Sequence, residues 1–425
     1  MECSRVPIVN PVDVEETPSW LRTLVTTFLG DPVGPSVERW TRVVARTWDP
    51  TRAWGARDRG RWVATLRTEA RTLTVPGLDG GTRDLRADAV TNVTVSATHR
   101  RRGLMRRMLD GALCAARDRG DAVSILIAAE WRIYGRFGYA PATWSADYVL
   151  HRNRGGAVSA RDPTRVRASD AHEVAAVGAD VFTAFRRQRV GQVDRDQRWW
   201  DIALGQNGFP APTQTDGLPH NWLVHEGDDG VDGIVGWRAT REGGLNPPGG
   251  RAEVWGLFAA NDTADGDLWA YVSGIDLIDE IAIARRPVDE PARWLLPDGR
   301  SLVLEDRADF LWLRILDVPT ALTARRYAIA GELVLDVRDD APATEIDVSG
   351  RYALTADHDV VECASTDRPP DLELTQRALA SIYLGGVRPA ELVRSGALTE
   401  RTPGALERAR LMFSTRLAPW NATGF

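Results

Sequence analysis

Three arginines and a glycine stand together at 100–103, inside the stretch VTVSATHRRRGLMRRML that spans residues 93–109. Apolar residues alternate ahead of this knot and recur at helical spacing behind it, so the turn joins a strand to a helix. A helix N-terminus presents unsatisfied N–H groups and about half a positive charge, which makes it a ready anion site. Arg101, Arg102 and Gly103 add charge and unhindered backbone at that point, an arrangement suited to a pyrophosphate. A merely solvated arginine cluster is the competing reading of so short a pattern. His99 sits in the same turn, where packing or a phosphate-edge role is expected rather than base catalysis.

The elements around the knot are legible from periodicity. SWLRTLVTTFLG and SVERWTRVVARTW carry apolar residues at intervals of three and four and read as helices, and RAWGAR, RWVATLRTEARTLTV and LRADAVTNVTV read as strands. A helix is expected from about Gly103 to Asp118, with Leu104, Met108, Ala112 and Ala116 on one stripe, and then a buried strand AVSILIA at 122–128. A second pass repeats this order faintly: HNWLVHE, GIVGWRAT and RAEVWGLFA as strands, a helix near Asp265 to Ile275, and a strand at 279–286. Where the first pass has ATHRRRGLM, the second has AANDTADGDLW, whose Asp262, Asp265 and Asp267 would repel an anion. Beyond about residue 300 the pattern changes to strands followed by helices, a separate α+β unit.

Composition narrows the setting. The 425 residues exceed one ordinary core, and two or three domains are expected. A hydrophobic share of 43% with no long apolar run speaks for a globular chain and against a membrane span. The opening MECSRVPIVNPVDVEE has acidic residues and no apolar core, so a cytoplasmic protein is expected. All 53 basic Lys/Arg positions are arginine, yet 59 acids leave a net charge of −6, which argues against nucleic acid as a partner. Cys3, Cys114 and Cys363 are too few and too scattered for a disulfide framework or a zinc site, so no metal is expected.

Strand, R-R-x-G turn, helix and strand, followed by EWRIYGRFGYAPA at 130–142, resemble the acetyl-CoA core of the GNAT acetyltransferase superfamily. VTVSATHRRRGL and YGRFGYAPAT together are similar to its Eis subfamily of regioversatile aminoglycoside N-acetyltransferases, as is DFLWLRILDVPTALTARRY at 309–327, which resembles the segment opening that subfamily's third domain. The resemblance implies an α+β fold of tandem GNAT domains, the second degenerate, plus a C-terminal sterol-carrier-protein-like domain. The implied divisions are 1–150, 151–300 and 301–425, and the implied assembly is a homohexamer.

The same resemblance assigns residues. Val93, Thr94 and Val95 would meet the pantetheine arm of acetyl-CoA along a strand edge; Arg101, Arg102, Gly103, Leu104, Met105 and Arg106 would hold the pyrophosphate; Ala129 and Glu130 would line the acetyl-bearing end. Tyr134 matches the family's general acid, although a packed aromatic is the plain alternative. The terminal carboxylate of Phe425, in the ending APWNATGF, falls where the family uses its proton acceptor, against the usual frayed tail. Trp20, Phe28, Trp40, Trp199 and Trp200 are candidates to wall a cationic substrate, with Asp31 for charge, though helically spaced tryptophans are more often core. Aminoglycoside-acetylating relatives tend to carry an acid beside the terminal Phe; here Thr423 and Gly424 stand there, which leaves room for a monoamine or a peptide amine. The expected activity is acetyl transfer to a small-molecule amine. Transfer to a protein lysine, or CoA and lipid binding without chemistry, are the alternatives.

Overall fold

The computed structural model describes residues 6–159, 162–212, 218–219, 221–241, 249–341, 343–358 and 360–425. Cys3 lies outside the described residues; Cys114 and Cys363 are free thiols. The chain forms two compact units, one of Met1–Thr143, Phe310–Arg416 and Gly424–Phe425, the other of Trp144–Asp309 and Leu417–Thr423. Among the described residues no helix is long and apolar enough to cross a membrane.

The first unit holds a seven-stranded sheet in the order Ile8–Val9, Ala53–Asp58, Arg61–Pro76, Thr82–Val95, Val123–Ile127, Leu311–Ile315, Ala140–Pro141. Thr82–Val95 and Val123–Ile127 run parallel, and the crossover between them is the helix Leu104–Asp118. That helix buries Leu104, Met108, Leu109, Ala112, Leu113 and Ala116, the stripe its 3.6-residue period dictates. Each buried Leu or Met stabilises the fold by about 1.5–3 kcal/mol. Met108→Asp would break this face, because it would bury a charge in an apolar layer.

The strand Leu311–Ile315 departs from the division expected at 300/301. It opens the segment assigned to the third domain, yet it pairs antiparallel with Val123–Ile127, Leu311 opposite Ile127 and Ile315 opposite Val123. All five of its residues are buried, and a fully buried strand needs neighbours on both edges. A separate five-stranded sheet follows in the order Val360–Ser365, Gly350–Asp357, Gly331–Arg338, Leu372–Thr375, Leu398–Glu400. The helices Gln376–Tyr383 and Ala405–Phe413 bring Leu379, Tyr383, Met412 and Phe413 into its buried core.

The second unit repeats the seven-stranded plan, in the order Leu302–Asp309, Trp144–His151, Ile278–Arg286, Gly250–Ala259, Gly230–Arg241, Asn221–Gly227, Val166–Ser169. Both outer boundaries differ from those read in the sequence, since Trp144–His151 and Leu302–Asp309 pair with one another in this sheet. The divisions implied by resemblance fell at 150 and 300, but hydrogen-bond partners far away in sequence decide sheet membership. The helices Ala171–Arg186 and Gln197–Leu204, not among the elements read from the sequence although Asp170 and Asp196 stand as their N-caps, seat Phe182 and Trp200 in the core.

Candidate active site

The strand Thr82–Val95 is where the site begins. Its partner register jumps from Arg67 opposite Thr91 to Thr65 opposite Thr94, so Asn92 and Val93 together face Leu66 in a β-bulge. Asn92 has φ 55°, and its carbonyl accepts from the Thr65 hydroxyl at 2.8 Å. A bulge bends and twists its strand. On the opposite side the parallel pairing with Val123–Ile127 stops at Val90 opposite Leu126. Among the described residues Val93, Thr94 and Val95 therefore keep an edge without a strand partner on that side, where an extended chain can pair as an added strand does. The Thr94 side chain points away from that role: it is buried, its hydroxyl 2.6 Å from Thr65 Oγ1.

The charged turn follows. His99 hydrogen-bonds Asp58 through Nε2 at 2.9 Å and Thr98 through Nδ1 at 2.8 Å, so both ring nitrogens hold the turn in place. The His99 bond, opposed by desolvation, keeps the Asp58 carboxyl below the usual carboxylate range. Arg101 (φ 63°) and Gly103 (φ 73°) are left-handed, which reverses the chain into the helix; only at Gly103 does this conformation come without steric cost. Gly103 is the N-cap and no side chain caps the helix. Arg101, Arg102, Gly103 and Arg106 are exposed around these N–H groups, Met105 is half-buried, and Leu104 anchors the turn in the core. Arg102 is braced on the Thr98 carbonyl at 3.2 Å. A bare helix start ringed by guanidinium groups can take phosphate oxygens.

At the far end of Val123–Ile127 the chain exposes Ala129 and Glu130 and then turns through Trp131–Tyr134 and Gly135–Phe137 to Gly138, whose φ of 79° requires glycine. Tyr139 is fixed beneath: its hydroxyl lies 2.6 Å from Ser124 Oγ, which donates to the Asp88 carbonyl at 2.9 Å. Arg314, fully buried, donates to the Phe137 carbonyl and, at 2.9 Å, to that of Ile346. Tyr134 is only 8% exposed, and its hydroxyl has no hydrogen-bond partner among the described residues. Burial, with the Glu130 charge adding to it, pushes the phenol up to about 12, so it keeps its proton at neutral pH. Ser124 and Arg314 escaped the sequence reading. A lone arginine within the apolar run LWLRI was the available signal, because a charge there must be buried with partners.

The remaining candidates scatter. Trp20 is fully buried, its indole N–H on the Trp54 carbonyl at 3.0 Å and its ring against Trp48, so it is spent on the core. Phe28 and Trp40 are 59% and 41% exposed and Asp31 is exposed, its carboxylate accepting from Val33 N at 3.0 Å. Trp200 is a core residue of the second unit and Trp199 is packed against it. The C-terminus is ordered: Asn421 and Thr423 are fully buried, and Gly424 and Phe425, half-buried, belong to the same unit as Tyr134.

Known proteins share this plan. Residues 9–142 and 191–315 each match a GNAT acetyltransferase domain family, and residues 318–422 match the sterol carrier protein domain. The N-acetyltransferase Eis of Mycobacterium tuberculosis is 31% identical over 81% of this chain and 81% of its own. The chain belongs to the Eis-like GNAT N-acetyltransferases. An uncharacterized N-acetyltransferase of Streptomyces griseus is 38% identical over 97% of this chain and 98% of its own. The crystal structure of Eis1 from Mycobacterium abscessus superposes with a TM-score of 0.81 at 27% identity, covering 99% of this chain and 100% of that one. This Eis-like enzyme is accordingly an acetyltransferase whose acyl donor is acetyl-CoA.

Proposed function

We propose that the enzyme moves the acetyl group of acetyl-CoA to a primary amine on a small molecule, with Tyr134 donating to the leaving sulfur and the Phe425 carboxylate accepting the amine proton. The observation that carries this reading is Tyr134: a largely buried residue whose hydroxyl is protonated at neutral pH and has no hydrogen-bond partner among the described residues, in a family that transfers acetyl groups. When bound, acetyl-CoA supplies an activated thioester and a thiol leaving group.

Val93, Thr94 and Val95 hold the pantetheine arm by their open edge, and backbone N–H near Val95 polarises the acetyl carbonyl. Arg101, Arg102, Gly103 and the N–H groups of Leu104, Met105 and Arg106 hold the phosphates. Ala129 and Glu130 line the acetyl-bearing end. Complete proton transfer from a phenol near 12 to a thiolate near 8.5 would cost about 5 kcal/mol. Tyr134 therefore stabilises the sulfur anion by a hydrogen bond while keeping its proton. The α-carboxylate of Phe425, near 3.5 in water, is a weak base for an ammonium of roughly 8–10, so it accepts the proton as the nitrogen attacks rather than before.

Thr423 and Gly424 place no second carboxylate beside the terminal one, which favours an amine of low positive charge over a polycationic aminoglycoside. Phe28, Asp31 and Trp40 are the exposed residues left to meet it. Hexameric assembly belongs to the same proposal and is tested by light scattering. For the chemistry, Tyr134→Phe lowers kcat about 100-fold with the Kd for acetyl-CoA unchanged, and residues appended after Phe425 do the same. Thiol release from a panel of arylalkylamines, aminoglycosides and lysine peptides identifies the acceptor. Full turnover in both variants overturns the roles of Tyr134 and Phe425.

A further inference from the structure

Chain ends usually fray, because few contacts offset the entropy of ordering them. Here the last residues are held by one segment of the second unit, 190–195, bond by bond. Trp420 N donates to the Val190 carbonyl at 3.0 Å, Ala422 N to Gln192 Oε1 at 3.1 Å and Val193 N to Asn421 Oδ1 at 3.1 Å. The Thr423 hydroxyl donates to the Val193 carbonyl at 2.8 Å, and Asn421 Nδ2 closes a local ring on the Thr423 carbonyl at 2.7 Å. Gln192, Asn421 and Thr423 have no exposed surface.

Arg195 completes the grip. It is 6% exposed and its guanidinium lies 4.3 Å from the Trp199 ring, 4.6 Å from Phe182 and 4.8 Å from Phe258. From this cage Nε donates to Thr423 Oγ1 at 3.1 Å and Nη2 to the Ala422 carbonyl at 2.6 Å. The backbone below is fixed as well, since Asp196 caps the next helix through Trp199 N at 2.8 Å. Rings pressed against a planar cation remove its freedom, so its two donors have one direction.

We propose that the second, degenerate module is the holder that aims the C-terminal carboxylate, with Arg195 as its positioning residue; this rests on the reading of Phe425 as proton acceptor. The last clamped residue is Thr423 and the carboxylate follows two residues later. Two residues span at most about 7 Å, so slack at Thr423 becomes displacement at the carboxylate. An error of about 1 Å in a reacting group can cost about 100-fold in rate.

The test uses the full-length enzyme with Arg195→Gln and, because that change alters a packed cage, Thr423→Val, which keeps shape and leaves the cage intact. Three quantities are read: kcat and KM for acetyl-CoA, release of the terminal phenylalanine by carboxypeptidase, and the unfolding midpoint. The expected result in folded protein is a kcat lowered 10- to 100-fold at an acetyl-CoA KM within about twofold, and release at least tenfold faster. Unchanged release in folded Thr423→Val overturns the holder. Faster release with unchanged kcat leaves the tail clamp standing but overturns both its positioning role and Phe425 as the base.

Discussion

Two helix starts, at Gly103 and at Asn261, occupy the same place in two sheets of the same plan, and they have opposite chemistry. Both follow a strand that bulges and then outruns its parallel neighbour: Thr82–Val95 beyond Val90, and Gly250–Ala259 beyond Val254, with Trp255 as the extra residue. In the first unit the helix start is uncapped, has no acid in its first turn and is ringed by Arg101, Arg102 and Arg106. In the second, the Asn261 side chain accepts from Thr263 N and Ala264 N, and Asp262 and Asp265 stand in the first turn. The open edge is filled too. Arg286 donates to the Leu257 carbonyl at 3.0 Å and Gln188 to that of Ala259 at 2.9 Å, while Trp420 of the tail lies over Arg286 at 5.4 Å. Splayed strands alone do not favour an anion; unsatisfied N–H groups and positive charge do.

The comparison breaks most sharply at the arginines. Replacing both Arg101 and Arg102 by Glu weakens acetyl-CoA binding about 100-fold or more by calorimetry, with the effect shrinking as salt rises. An Asp262→Arg change in the second unit creates no second binding event in the same titration, because Asn261 still fills the N–H groups. A step down, Gly103→Val raises the acetyl-CoA Kd about tenfold, since a left-handed β-branched residue costs about 1–2 kcal/mol and its side chain stands where a phosphate would approach the backbone. Its counterpart Asn261→Ala leaves that Kd alone and costs about 1 kcal/mol of stability, read from urea unfolding, by removing a cap.

The smallest effect is a pH slope. Burial pushes Asp265 up to about 7 against the pull of Arg286. Its unfolded value is about 3.9, so between these pH values the native state binds a proton that the unfolded state does not. Stability falls as pH rises from about 4 to 7 and levels off above; for a residue that is partly exposed this amounts to about 1–2 kcal/mol. Asp265→Asn flattens that slope in unfolding midpoints measured at pH 5, 6, 7 and 8.

Much of this was legible before the fold. The stripe of Leu104, Met108, Ala112 and Ala116 and the strand at 122–128 both follow from periodicity, and the acidic helix start at 261–267 is plain from its charges. Other features were out of reach because they depend on partners far away in sequence. Trp20 and Trp40 sit on adjacent helices with similar spacing, yet one is buried and the other exposed. Leu311–Ile315 reads as an apolar run and becomes a strand of the first sheet only through Val123–Ile127. The sequence by itself determined which residues could attract an anion and which elements would carry them, since local charge, backbone freedom and periodicity are properties of neighbours in the chain. The tertiary structure alone decided that Tyr134 is buried with its hydroxyl unpartnered among the described residues, that Arg314 braces the loop after it, and that the tail is gripped at Thr423. Each of these rests on desolvation and hydrogen bonds between residues scores to hundreds of positions apart, which no local pattern encodes.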